Sequence, residues 1–212
     1  MPVPAALPAI IGSLDLVGIA IFAISGAALA ARLRQTFVTL AFFALVTGVG
    51  GGSVRDLLIG APVFWVHDPW VAPVCLSAAL LAWFTPHRWW EGRLIEWADA
   101  AGLAAYSTLG AAKALTYGVP PVSAVLMGAV TGCVGGIIRD VLAGRPSILM
   151  RPELYVTAAA LSAALCVTGH LLGLPAWVIW TLAVLAGFTL RGAAIQWGLA
   201  IPAYARGDPK AS

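Results

Sequence analysis

The sequence predicts an all-α integral membrane protein: seven transmembrane helices, built as two inverted three-helix repeats plus a seventh helix, with the second and fifth helices kinked at glycines. Three observations predict it. Of 212 residues, 61% are hydrophobic and 10% are charged, whereas soluble domains carry about 25% charged residues. Several apolar runs reach the roughly 20 residues that a helix needs to cross a bilayer. The chain also aligns on itself, without a gap, at a shift of 84 residues. A single membrane domain is expected over 1–212, with repeat one at 13–85, repeat two at 99–170 and the extra helix at 175–196.

The elements follow in order. The first apolar segment, 13–31, has no positive region before it, so it is expected to stay as a helix rather than be cleaved as a signal peptide. The second, 37–57, carries the densest run of glycines. The third, 70–85, ends at Pro86. The fourth, 99–116, starts at Asp99. The fifth, 121–142, opens on Pro120-Pro121, the sixth, 153–170, follows Pro152, and the seventh, 175–196, starts at Pro175. A proline at the first helical position loses no hydrogen bond, because that N–H has no partner anyway. No proline falls in the middle of a segment, so any break inside the membrane must come from glycine.

Lys and Arg set the orientation. Arg32 and Arg34 follow the first helix, Arg88 and Arg93 the third, Arg145 and Arg151 the fifth, and Arg206 and Lys210 the seventh. The N-terminal tail and the loops near 58–69, 117–120 and 171–174 contain no Lys or Arg. The positive-inside rule places the N-terminus outside and the C-terminus in the cytoplasm. Trp65, Trp70, Trp89, Trp90, Trp97 and Trp177 fall near segment ends, as interfacial anchors do. The net charge is only +3 and the basic residues are scattered, so no nucleic-acid footprint exists. Cys75, Cys133 and Cys166 stand singly in apolar segments and read as small buried residues.

The internal alignment pairs Asp15 with Asp99, Gly18 with Gly102, Phe22 with Tyr106, Thr47-Gly48 with Thr131-Gly132, Gly51-Gly52 with Gly135-Gly136, and Arg55-Asp56 with Arg139-Asp140. Each copy has three helices, an odd number, so the copies are inverted about an axis in the membrane plane. Two chemical expectations follow. Gly50, Gly51 and Gly52, and Gly135 and Gly136, weaken their helices by about 1 kcal/mol each relative to alanine. They are read either as a kink on a permeation path or as close helix packing through Gly-x-x-x-Gly. Ionisable groups inside spanning helices are costly and face an interior or an aqueous path. Asp15 is expected beside Arg55 and Asp99 beside Arg139, as pathway groups, as structural ion pairs or as helix-end charges near the headgroups, with Ser53, Asp56 and Asp140 adjoining. Lys113 breaks the symmetry, since its mate is Leu29. It is read as snorkelling to the outer interface or as lining an aqueous path. Arg191 is read as snorkelling at the inner end of the seventh helix.

Enzyme signatures such as HExxH, Walker A and GxSxG are missing. No enzyme activity, cofactor or metal is expected, and His67, His87 and His170 read as interfacial.

The repeated Gly-Gly-Gly-Ser-Val-Arg-Asp and Gly-Gly-Ile-Ile-Arg-Asp, in matched helices of two three-helix units, resemble the prokaryotic trimeric intracellular cation (TRIC) channels over nearly the whole chain. The resemblance implies a homotrimer in the inner (plasma) membrane of a prokaryote, surrounded by membrane lipid. It implies one pore per protomer, between the kinked second and fifth helices, for monovalent cations, chiefly potassium, with sodium left open. The kinks then fall at Gly50-Gly51-Gly52 and Gly135-Gly136. The pathway groups are Lys113, Arg139, Asp140, Arg55, Asp56 and Ser53, with Asp15 and Asp99 in supporting ion pairs. The family's functional fourth-helix lysine maps to Lys113. Animal members have Lys-Glu-Val there, whereas Ala114-Leu115 follows here. The residues themselves also fit a secondary transporter for a small solute, which uses the same repeats for alternating access, or a non-conducting structural membrane protein.

Overall fold

A computed structural model describes residues 6–90, 93–150 and 154–202, with side chains from residue 15 onward except at 87. Arg151, Arg206 and Lys210 of the charge map lie outside the described residues. Seven α-helices occur among those described: α1 (Ala6–Arg32), α2 (Phe37–Leu58), α3 (Val71–Phe84), α4 (Leu94–Thr116), α5 (Pro121–Leu142), α6 (Val156–Leu171) and α7 (Ala176–Trp197). Single 3₁₀ turns follow α2, α3 and α5. By length and composition, α1, α2, α5 and α7 each hold a stretch able to cross a membrane, whereas α3 and α6 are shorter apolar helices.

Local chemistry sets the ends. The Thr36 hydroxyl accepts from the Thr39 N–H and starts α2. Pro121 occupies the first turn of α5. α2 and α5 then end in the same way. Gly60 and Gly144 sit at positive φ (68° and 63°), where residues other than glycine are strained. Around them the N–H of Ile59 bonds back to the Arg55 carbonyl and that of Ala61 to Asp56. After α5, Ala143 bonds back to Arg139 and Arg145 to Asp140.

The packing repeats between halves. α1 packs on α2 and α3, and α2 on α3; α4 packs on α5 and α6, and α5 on α6. The halves meet through α1 on α4 and α2 on α5, and α7 lies against α4 and α6. At the α1–α4 crossing, Tyr106 fills the notch left by Gly18, and Phe22 lies over Gly102. The two rings meet edge to face, 5.3 Å apart. At the α2–α5 crossing, a methyl group on Gly51 would strike the Thr131 carbonyl, and one on Gly135 would stand 2.6 Å from the Thr47 carbonyl. As the contact number rises along one helix it falls along the other, so α2 and α5 run antiparallel. Lipid is as apolar as leucine, so such helices associate by close van der Waals fit, which small residues permit.

α2 and α5 are helical through their glycines, and the partner helix approaches closely at Gly51 and Gly135. Two expectations need revision. Trp90 is buried rather than at an interface, since it folds back against the α1–α3 core. Arg191 is buried too, its guanidinium 5.3 Å from the centre of the Tyr155 ring, so it does not snorkel.

Candidate functional site: two matched charge clusters

The C-terminal ends of α2 and α5 each carry a buried Arg-Asp pair. Because the helices are antiparallel, the pairs lie at opposite ends of the crossing. In the first cluster the Arg55 Nε donates to Asp56 Oδ1 at 2.8 Å, and its Nη1 stands 3.5 Å from Asp15 Oδ1. The turn after α2 brings the backbone N–H of Phe64 to Asp56 Oδ2 at 3.0 Å. In the second, Arg139 Nε donates to Asp140 Oδ1 at 3.0 Å, and its Nη1 stands 2.7 Å from Asp99 Oδ1. The N–H of Ile148 reaches Asp140 Oδ2 at 3.0 Å. Each of these contacts has its counterpart in the other cluster.

The difference lies in the fourth helix. Lys113 is buried, and its ammonium stands 2.9 Å from Asp56 Oδ1. It points inward to a carboxylate on α2 and does not snorkel. The ring of Phe64 lies 5.6 Å from both the Lys113 ammonium and the Arg55 guanidinium, close enough for its π face to stabilise either cation. Asp15, Asp56, Arg55 and Lys113 thus balance as two negative and two positive charges. At the matched place in the second cluster stands Leu29. There a cavity of about 70 Å³ opens beside Asp99, Arg139 and Asp140, and Leu29, Arg32 and Arg145 line it as well. Ser53 does not join the charges. Its hydroxyl donates to the Val49 carbonyl and accepts from the Trp65 indole at 2.8 Å, which ties the loop after α2 to the helix. Gly50, Gly51 and Gly135 lie at the crossing between the clusters, Gly52 faces the Phe64 ring, and Gly136 faces the Tyr155 hydroxyl and Asp99.

A family model described as "Glycine transporter" matches the chain twice, over residues 13–87 and 96–171. The solved TRIC trimeric intracellular cation channel orthologue from Rhodobacter sphaeroides is 38% identical, with a TM-score of 0.82 over 90% of this chain and 99% of that one. The chain belongs to the prokaryotic TRIC channel family. Another solved prokaryotic TRIC channel, in 0.5 M KCl, is 28% identical with a TM-score of 0.81, over 89% of this chain and 97% of that one. The UPF0126 inner membrane protein YadS of Escherichia coli strain K12 is 37% identical over 91% of this chain and 95% of its own length. Like these relatives, this TRIC family chain is a membrane protein.

Several groups in the clusters left no signal in the sequence. The Tyr106 hydroxyl donates toward the carbonyls of Asp15 and Gly48, at 3.2 and 3.4 Å, yet its repeat mate is a phenylalanine. Ser25 accepts a bond from Arg139, and its mate is Leu109. The amides of Phe64 and Ile148 are backbone groups, invisible in residue type. Asp56 and Asp140, expected as pathway groups, each join an arginine to a backbone amide.

Proposed function

We propose that the protein is a monovalent cation channel, with potassium as its main ion and one pore per protomer of a homotrimer, running between α2 and α5. The observation that carries this reading is the antiparallel α2–α5 crossing, lined by glycine and threonine and flanked at each end by a buried charge cluster. Membership of a family whose solved members are named trimeric cation channels supports the ion and the assembly. The antiparallel crossings and the double family match support two inverted repeats, 13–85 and 99–170, with 175–196 as the extra helix and all seven helices crossing the membrane. The lysine-free and arginine-free loops support an N-terminus outside and a cytoplasmic C-terminus in the inner (plasma) membrane.

In the conformation described, the backbones of α2 and α5 touch at Gly51 and Gly135. We read it as closed at the crossing. Conduction requires the helices to part, and kinking at Gly50-Gly51-Gly52 and Gly135-Gly136 supplies the movement at small cost. The charge clusters then form the two mouths. Arg55, Asp56 and Lys113 lie at one and Arg139 and Asp140 at the other, held by Asp15 and Asp99, while Ser53 steadies the first. Lys113, anchored on Asp56, is the gate element on its side. The test is reconstitution of the purified chain into planar bilayers with a potassium gradient. Unitary currents reversing near the potassium potential are the expected result.

One observation favours a second reading, a secondary transporter for a small solute: the matching family model is described by glycine transport. The same proteoliposomes decide between them. Saturable uptake of labelled glycine without unitary currents establishes the transporter and removes the channel.

A further inference from the structure

Away from the charge clusters, a cavity of about 230 Å³ lies where the C-terminal ends of α1 and α3 meet the start of α2. Arg34, Gln35, Leu40, Trp83, Thr85 and Trp90 line it, and among the described residues no acidic side chain does. We propose that this cavity binds a phosphate-type oxyanion, held by the Arg34 guanidinium and the Trp90 indole N–H.

Three observations carry the proposal. Trp90 is only 3% exposed, and its Nε1 has no hydrogen-bond partner inside the protein. A buried N–H without an acceptor costs about 1–3 kcal/mol, and an oxyanion in the cavity that Trp90 lines would supply the acceptor. Next, Arg34 sits at φ 55°, the single non-glycine residue with positive φ among the described residues. It occupies the turn that closes α1, where the Arg34 and Gln35 amides bond back to Ala31 and Ala30. Glycine is the usual occupant of such a turn, and an arginine there sustains strain of about 1–2 kcal/mol. Strain of this kind gathers where a side chain has work to do. Last, the competing acceptors are already occupied. The final carbonyls of α1 take the amides of residues 33–35, and the Leu81 and Ala82 carbonyls at the end of α3 take the Thr85 hydroxyl. Among the described lining residues Arg34 carries the charge, and the first turn of α2 brings the positive end of its dipole against the C-terminal ends of α1 and α3.

The oxyanion has two sources, an anionic lipid headgroup or free phosphate, and the arms of the test separate them. The full chain is purified, delipidated and titrated with phosphatidylglycerol or with inorganic phosphate. Binding is read by native mass spectrometry and by the rise in melting temperature. Two variants test the contacts. Arg34→Gly removes the guanidinium and relieves the strain, so it folds at least as stably as wild type. Trp90→Phe keeps an aromatic ring at this position and removes the N–H. The expected result is one tight phosphatidylglycerol per protomer, weakened at least fivefold in each variant, while Arg34→Gly without lipid melts no lower than wild type. The same pattern with inorganic phosphate assigns the site to the free ion. Equal binding by wild type and both variants in both arms, or no binding in either, overturns the proposal. Failure here leaves the channel reading untouched, since the cavity lies apart from the α2–α5 crossing.

Discussion

At the scale of single residues, the first cluster is a closed circuit of four charges, and its members should not be equivalent. Removing one partner of a buried ion pair leaves an uncompensated charge and costs about 3–5 kcal/mol. Asp56 joins Arg55, Lys113 and the Phe64 amide at once. Asp56→Asn therefore strands Lys113 and leaves Arg55 with the more distant Asp15 alone, whereas Lys113→Met leaves Asp56 still neutralised by Arg55. We expect Asp56→Asn to be the more damaging, and the double variant to recover about 1–3 kcal/mol of the combined loss through coupling. Thermal unfolding of the four purified proteins in detergent checks this. Strict additivity would mean that the 2.9 Å contact between Lys113 and Asp56 contributes nothing. The sequence announced Arg55, Asp56, Arg139 and Asp140 because charge inside an apolar segment is expensive and therefore conspicuous. It did not announce that Lys113 would find its carboxylate on another helix, because that contact depends on how far α4 is turned toward α2.

At the scale of elements, the glycines of α2 and α5 fill a packing role that spacing alone could not separate from a kink. Both readings use the same residue type, and only the position of the neighbouring backbone distinguishes them. The Gly51 position faces the Thr131 carbonyl directly, and a backbone group cannot rotate away as a side chain can. Gly51→Ala must therefore push the helices apart, at about 1–3 kcal/mol of overpacking strain, and Gly135→Ala should act alike. Gly60→Ala makes the useful contrast. Nothing lies within 4 Å of the added carbon there, so its cost is confined to the positive-φ strain of about 1–2 kcal/mol. All three variants should melt at lower temperature, but only Gly51→Ala and Gly135→Ala should alter unitary conductance. A change of equal size in Gly60→Ala would detach conductance from the crossing. Helix extents were legible almost to the residue for α2, α5 and α7, where prolines, a threonine cap and closing glycines mark the ends. They were less so for α1 and α4, which begin at Ala6 and Leu94 rather than at 13 and 99: the apolar sequence of α1 reaches back past 13, and α4 starts among the mixed residues before Asp99.

At the scale of the whole molecule, the proposed inversion makes two claims about direction, one topological and one electrical. The three native cysteines are buried, so the wild-type chain is a quiet background for labelling with a membrane-impermeant maleimide. Tyr117→Cys should react in intact cells, and Gln35→Cys only after permeabilisation; the reverse pattern would turn the molecule over. The electrical claim follows from the asymmetry of charge at Lys113 and Leu29. Lys113 places a positive charge on Asp56 in one half, while Leu29 leaves a cavity beside Asp140 in the other. A charge crossing the whole field couples to voltage by about 2.3 kcal/mol per 100 mV, and Lys113, near one mouth, senses a fraction of that. Lys113→Leu should flatten the voltage dependence of opening. Leu29→Lys should seat an ammonium in the matched cavity, where Asp140 stands as Asp56 does for Lys113. Since the halves are antiparallel, the same outward or inward displacement of that charge relative to its own half has the opposite sense in the field. The double variant Lys113→Leu with Leu29→Lys should then reverse the sign of the voltage dependence in bilayer recordings. A double variant that opens with the wild-type sign would show that the gate does not reside in the lysine, and would move the search to the α2–α5 crossing itself.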